Sequence, residues 1–171
     1  MSKKYGTLLG TVNINSVKLD VYSNGSCTNV SDEPSLDNEG EYMGMKYQCV
    51  ELARQFIYNS SGRNLALVWQ GGDAKDWLAN REVMKLEAPD LSDAKVGDII
   101  TFSGGNWGHV AVVSSISDDV IHITQQNFLN DTGDLDYSIK IDTLKNNAEI
   151  FDANGAPYKF QSLLRMPESW L

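Results

Sequence analysis

Two short stretches carry the residue types that could break a covalent bond. The first, Glu41-Tyr42-Met43-Gly44-Met45-Lys46-Tyr47-Gln48-Cys49-Val50-Glu51-Leu52-Ala53-Arg54, holds one of two cysteines. The second, Asn106-Trp107-Gly108-His109-Val110-Ala111-Val112-Val113, holds one of two histidines. A thiol and an imidazole distant in sequence form a nucleophile and its base if the fold brings them together. Without that meeting, Cys49 reads as a small buried apolar residue and His109 as an incidental one.

The positioning elements follow from periodicity. Apolar residues at 49/50, 52/53 and 56/57 predict an amphipathic helix from about Tyr47 to about Tyr58. The turn signal Asn38-Glu39-Gly40 precedes this stretch, and Asn59-Ser60-Ser61-Gly62 stops the helix. Cys49 then lies in the first helical turn, where free N–H groups and the positive dipole end favour thiolate over thiol. The apolar run from Gly108 to about Ile116 predicts a buried strand, with His109 at its entrance.

The segments Tyr47-Gln48-Cys49-Val50-Glu51-Leu52-Ala53-Arg54 and Gly108-His109-Val110-Ala111-Val112-Val113 resemble the CHAP family of cysteine/histidine-dependent amidohydrolases and peptidases. Tyr5-Gly6-Thr7-Leu8-Leu9-Gly10, Glu41-Tyr42-Met43-Gly44 and Gln125-Gln126-Asn127 are similar to the glutathionylspermidine amidase branch of that family. The resemblance runs from about residue 5 to about residue 165. It implies an α+β fold with a papain-like (NlpC/P60-like) core, the nucleophile helix packed on an antiparallel β-sheet. It also implies Cys49 as nucleophile and His109 as base. Gln125 stands where the branch has a glutamate, and Asn127 matches the last position of the same stretch. An amide accepts the imidazole N–H bond and fixes the tautomer, but it does not stabilise imidazolium as a carboxylate does. The expectation is an active enzyme with a less polarised Cys/His pair.

Arg54 matches the family motif as well, which implies a place at the substrate site. Helix geometry points the other way, because five residues turn about 500°, carrying Arg54 off the Cys49 face. An Arg paired with a neighbouring carboxylate is the plain alternative. The Cys49 N–H could donate to an oxyanion, with a second donor from Gln48 or Tyr42.

Composition bounds the reading. With 171 residues, 42% hydrophobic and 22% charged, the chain fits one soluble domain, 1–171. No window approaches the roughly 20 apolar residues that span a membrane. Met1-Ser2-Lys3-Lys4-Tyr5-Gly6 has no apolar stretch behind its lysines, so no secretory signal is expected. A cytoplasmic location follows, or export without a cleavable signal peptide. The net charge of −9 disfavours nucleic acid. It suits a cationic substrate or plain solubility. Cys27 lies in a polar loop; both thiols are read as free, and no cofactor is expected. No C-x-x-C or H-E-x-x-H spacing predicts a metal.

Two substrates fit the reaction class: a glycyl–polyamine amide, or a muropeptide of the cell wall. The second would make the chain a lysin or an exported effector, with an immunity protein as partner. A third reading keeps the fold as a binding module without catalysis.

The rest of the chain reads mainly as strands. Residues 5–12 and 16–22 form a hairpin around Asn13-Ile14-Asn15. Residues 23–40 form a loop whose acids (Asp32, Glu33, Asp37, Glu39, with Glu41 beyond) are either a solvated face or a negative rim beside the nucleophile. Asp73 caps a short helix through about Leu78 or Glu82. Strands follow at Val96–Phe102, Val120–Thr124, Leu135–Ile141 and Tyr158–Met166, with a possible short helix opening at Asp142. His122 falls on a strand face opposite Ile121 and Ile123, outside the chemistry.

Overall fold

A computed structural model describes residues 3–26 and 31–171; Cys27 lies outside the described residues. The chain opens with the hairpin β1 (Leu8–Ile14) and β2 (Val17–Tyr22). Its turn is Asn15-Ser16, one step later than the sequence suggests, with both residues at positive φ. That conformation matches the twist of the flanking strands. The acidic loop is not wholly irregular. Pro34–Leu36 (β3) pairs antiparallel with Tyr42–Met45 (β4). A three-residue strand is too short for periodicity to reveal.

The helix α1 spans Cys49–Ser61. Gln48 is its extended N-cap, and Gly62, at φ 74°, closes it in the left-handed region. Asn59, Ser60 and Ser61 lie inside the helix rather than ending it. The Ser60 and Ser61 hydroxyls donate back to the carbonyls of Phe56 and Ile57. Next come short 3-10 turns at Leu65–Leu67 and Ala74–Asp76, and a single turn, α2 (Arg81–Met84).

The rest builds one antiparallel sheet from β5 (Ile99–Ser103), β6 (His109–Ser117), β7 (Val120–Thr124), β8 (Tyr137–Lys140), β9 (Ile150–Phe151) and β10 (Pro157–Leu164), with α3 (Ile141–Lys145) between β8 and β9. The strand order is β8-β7-β6-β5-β10-β9. Both faces of its centre are buried, which explains the unbroken apolar run of β6. Val110 and Val112 join the core under α1, with Leu52, Phe56 and Trp77. Ala111 and Val113 join the opposite core, with Phe102, Ile121, Ile123 and Phe128. The first core packs α1 onto β6 and onto the β1–β2 hairpin. The fold is α+β, a papain-like core with the helix bearing Cys49 laid on an antiparallel sheet. Among the described residues no helix is long and apolar enough to cross a membrane.

Candidate active site

Cys49 is the first residue of α1 and His109 the first of β6, and both line one cavity of about 230 Å³. Two glycines permit this approach. Gly108 sits at φ 71°, and a Cβ there would lie 2.8 Å from the Lys75 nitrogen and 2.9 Å from the Phe102 carbonyl oxygen. The segment Ala74–Asp76 therefore docks against the strand entrance, with Lys75 N–H donating to the Trp107 carbonyl at 2.9 Å. Gly44, at φ 137°, brings β4 against α1, where a Cβ would lie 3.2 Å from Glu51 Cβ.

The His109 ring is 2% exposed. It stacks on Phe128 at 4.4 Å between centroids and on Phe102 at 6.0 Å, and Tyr158 meets it edge-on at 6.0 Å. Its Nε2 lies 2.8 Å from Gln125 Oε1, in a buried contact. An amide oxygen only accepts, so Nε2 carries the proton and Nδ1 keeps its lone pair. Gln125 is wholly buried, and its Nε2 meets no hydrogen-bond partner among the described residues.

The loop that carries Gln125 is pinned from behind. Asp134, also wholly buried, accepts the N–H groups of Leu129 and Asn130 at 2.9 Å each, and its carbonyl accepts Gln125 N–H at 2.8 Å. Gln126 makes the other tie, one that residue types alone do not single out. Its Oε1 accepts Tyr22 N–H at 2.8 Å. Its Nε2 donates to the Gln48 carbonyl at 3.0 Å and to Glu51 Oε2 at 2.8 Å. One buried amide thus locks β2, the start of α1 and the loop after β7 together. Asn127, at φ 59°, donates to Gln48 Oε1 at 3.1 Å. That bond orients the Gln48 amide beside Cys49.

The helix-start argument for a thiolate is outweighed. Burial pushes the Cys49 thiol up to about 11; the N–H groups of Val110, Val50 and Cys49 itself pull it down by less, and the Asp73 charge adds to the rise. Cys49 keeps partial exposure toward the cavity, yet the protein atoms packed around sulfur decide the balance. Burial likewise lowers the His109 imidazole to about 4, against smaller upward pulls from the Gln125 bond and the Asp152 charge. The resting pair is therefore a neutral thiol and a neutral imidazole. The Val110 N–H bond to sulfur places the thiol against the first peptide of β6.

Arg54 lines the same cavity, contrary to the helical-wheel expectation. The wheel places Cα atoms, whereas the long side chain sweeps back toward the N-terminal turn. The guanidinium is 1% exposed and donates to the Trp69 carbonyl at 3.1 Å and the Gly71 carbonyl at 3.4 Å. It also bonds the Tyr42 side chain, and among the described residues its Nε meets no partner. Among the described residues no carboxylate ion-pairs with it, so the expected Arg–carboxylate pair is absent there.

The acid facing the cavity is Asp73, which caps no helix with its side chain. Asp32, Glu33, Asp37, Glu39 and Glu41 do not line the cavity. Asp37 caps its own turn through Glu39 and Glu41 N–H, and Glu33 faces Lys46 and Tyr5. The negative-rim reading of that loop gives way to the solvated-face reading. His122 lies outside the cavity on the outer strand face. Among the described residues no group of three or more His, Cys, Asp or Glu is placed to hold a metal.

Comparison with known proteins finds both relatives and a family. Trypanothione synthetase of Crithidia fasciculata is 27% identical over 134 residues, 72% of this chain and 20% of that protein. The bifunctional glutathionylspermidine synthetase/amidases of Escherichia coli K12 and Shigella flexneri are each 30% identical over 104 residues, 54% of this chain and 17% of theirs. The chain spans about a fifth of the length of these relatives. Residues 40–127, just over half of the chain, match the family described as CHAP domain. The chain belongs to the CHAP domain family.

Proposed function

We propose that Cys49 is the nucleophile and His109 its base in hydrolysing an amide between a glycyl-type carboxyl and a polyamine. The observation that carries this reading is one cavity holding Cys49 and His109 between opposite charges, with Arg54 and Asp73 both in its wall. An acyl part bearing a carboxylate suits Arg54, with the Tyr42 hydroxyl beside it. A leaving amine bearing further ammonium groups suits Asp73 and the open face of Trp107, which is 53% exposed. The activities for which the relatives are named, glutathionylspermidine synthetase/amidase and trypanothione synthetase, favour the same substrate class.

In this reading His109 Nδ1 takes the Cys49 proton as sulfur attacks the carbonyl carbon. The tetrahedral oxyanion accepts from Cys49 N–H and from the Gln48 amide, which Asn127 orients. The imidazolium then gives its proton to the leaving nitrogen, and the C–N bond breaks to leave a thioester. Water, deprotonated by His109, attacks that thioester and releases the acid and the free thiol. Gln125 holds Nε2–H throughout and leaves the Nδ1 lone pair to take the proton. Because both partners rest neutral, proton transfer and attack occur together rather than from a preformed thiolate.

The test is mass spectrometry of products after incubation with glutathionylspermidine and, separately, with purified muropeptides, using the wild-type chain and Cys49→Ala. Cys49-dependent release of spermidine is the expected result. Cys49-dependent cleavage of muropeptides alone would move the substrate to the cell wall. Cleavage of neither would leave the proposed substrate without support.

A further inference from the structure

We infer that Asp152 is a positioning residue that acts through His109, supplying from behind the aromatic wall the negative charge that the amide of Gln125 lacks. The inference rests on the Cys49/His109 reading above. Asp152 is half-buried in the turn between β9 and β10. Its Oδ1 accepts the N–H groups of Asn154 at 2.9 Å and Ala156 at 3.0 Å. Its Oδ2 accepts the Tyr158 hydroxyl at 3.2 Å. Tyr158 is the ring that meets His109 edge-on, and it lines the cavity.

The turn is anchored a second time. Ala153 N–H donates to the Phe128 carbonyl at 3.0 Å, and the Phe128 ring is the one stacked on His109. The carboxylate is thus bonded to one ring that meets the imidazole, and its turn is tied to the backbone that carries another. Rings and buried backbone screen a charge poorly, so its field reaches His109 with less loss than through water. In line with this, the Asp152 charge favours the protonated imidazole.

The other groups around His109 do not replace it. Phe102 comes from β5, Gln125 and Phe128 from the segment after β7; none is charged. From β10 comes the Tyr158 phenol, and from α1 the Cys49 thiol. Arg54 in the cavity wall carries the wrong sign to steady a cation, and Asp73 stands beside Cys49, where it opposes thiolate. When the Cys49 proton moves to His109, Asp152 is the carboxylate that steadies the new cation without burdening sulfur as Asp73 does.

The experiment is an imidazole nitrogen NMR titration of His109, assigned against His122→Gln because the chain has two histidines. It uses the wild-type chain, Asp152→Asn, Gln125→Glu and the double variant. Asparagine keeps an acceptor for the turn N–H groups, so the fold is retained. Asp152→Asn is expected to lower the His109 titration by about half a unit and the plateau kcat about 3- to 10-fold with KM little changed. Adding Gln125→Glu should restore both, which no structural role for Asp152 predicts. The Gln125→Glu pair also moves the titration toward neutral pH, so the shift is read even if acid unfolds the wild-type chain first. An unmoved titration in both backgrounds would overturn the inference and leave Asp152 as a turn cap. Failure of the Cys49/His109 reading looks different: Cys49→Ala would keep its amide cleavage while the Asp152-dependent titration shift remained.

Discussion

His109 and His122 stand on adjacent strands of one sheet and have opposite surroundings. His122 has the partners usually associated with catalysis: Nδ1 lies 2.8 Å from Asp136 Oδ1, and Nε2 lies 3.4 Å from the Ser117 hydroxyl. Asp136 is 67% exposed, however, and none of the three lines the cavity that holds Cys49. His109 has a neutral amide as partner, three aromatic rings around it and a thiol sharing its cavity. A relay in open water gains little, since solvent screens the charge and competes for every bond. What distinguishes the two is burial in a shaped cavity and a thiol beside the ring, not the polarity of the partner.

The comparison is broken most directly by removing each ring. Cys49→Ala and His109→Ala should each lower kcat/KM for amide hydrolysis by about 10³-fold or more. His122→Ala should leave it within about twofold. Equal losses at the two histidines, read from steady-state kinetics, would erase the distinction.

Backbone approach comes next. Gly108→Ala puts a Cβ within 3 Å of two backbone atoms at a positive φ. The expected cost is about 2–4 kcal/mol in chemical denaturation, with activity lost beyond what instability explains. A comparable alanine beside His122, Ser117→Ala, should change neither. Gln126→Ala removes one hydrogen bond each from Tyr22 N–H, the Gln48 carbonyl and the Glu51 carboxylate at once. It should cost about 2–3 kcal/mol and loosen the start of α1, seen as faster amide hydrogen exchange at residues 49–53. Unchanged exchange there would remove Gln126 from the framework of the site.

Gln125→Glu gives His109 the charged partner that His122 already has. It should raise the imidazole titration from about 4 by roughly one to two units and speed Cys49 alkylation at neutral pH. No acceleration would mean that resting polarisation is not limited by residue 125.

The smallest expected effect is in the pH dependence of stability. Folded His109 refuses a proton down to about pH 4, whereas in the unfolded chain it accepts one near 6.5. The stability from keeping it neutral is full above about 6.5 and is lost as pH falls toward 4. Asp134 acts in the opposite sense. Burial raises it from 3.8 to about 7 against the pull of three backbone N–H groups, so its contribution is full below about 4 and is lost as pH rises toward 7. The urea midpoint of the wild-type chain should therefore vary little between pH 4 and 7. In Asp134→Asn it should climb with pH, leaving the His109 effect exposed. A flat profile in that variant would contradict the depressed imidazole.

Much of the architecture was legible because local rules govern it. The period of α1, the stop at Gly62 and the buried strand behind Gly108 follow from spacing and residue type, and these set Cys49 at a helix start and His109 at a strand entrance. The pair β3–β4 was missed because three residues carry no period. For Arg54 the family motif and the helical wheel disagreed, and the wheel misled because it tracks Cα atoms and ignores the reach of a guanidinium.

The sequence alone determined which side chains were available: one cysteine in a helix-forming context, one histidine leading an apolar run, and an amide at 125 in place of a carboxylate. Only the tertiary structure decided their state. Cys49 rests as a thiol because desolvation by distant segments exceeds the pull of the helix start. The link from Asp152 through Tyr158 and Phe128 to His109 joins residues scattered along the chain. Desolvation and through-space charge depend on what surrounds an atom in three dimensions, and that arrangement exists only once the sheet has closed around the site.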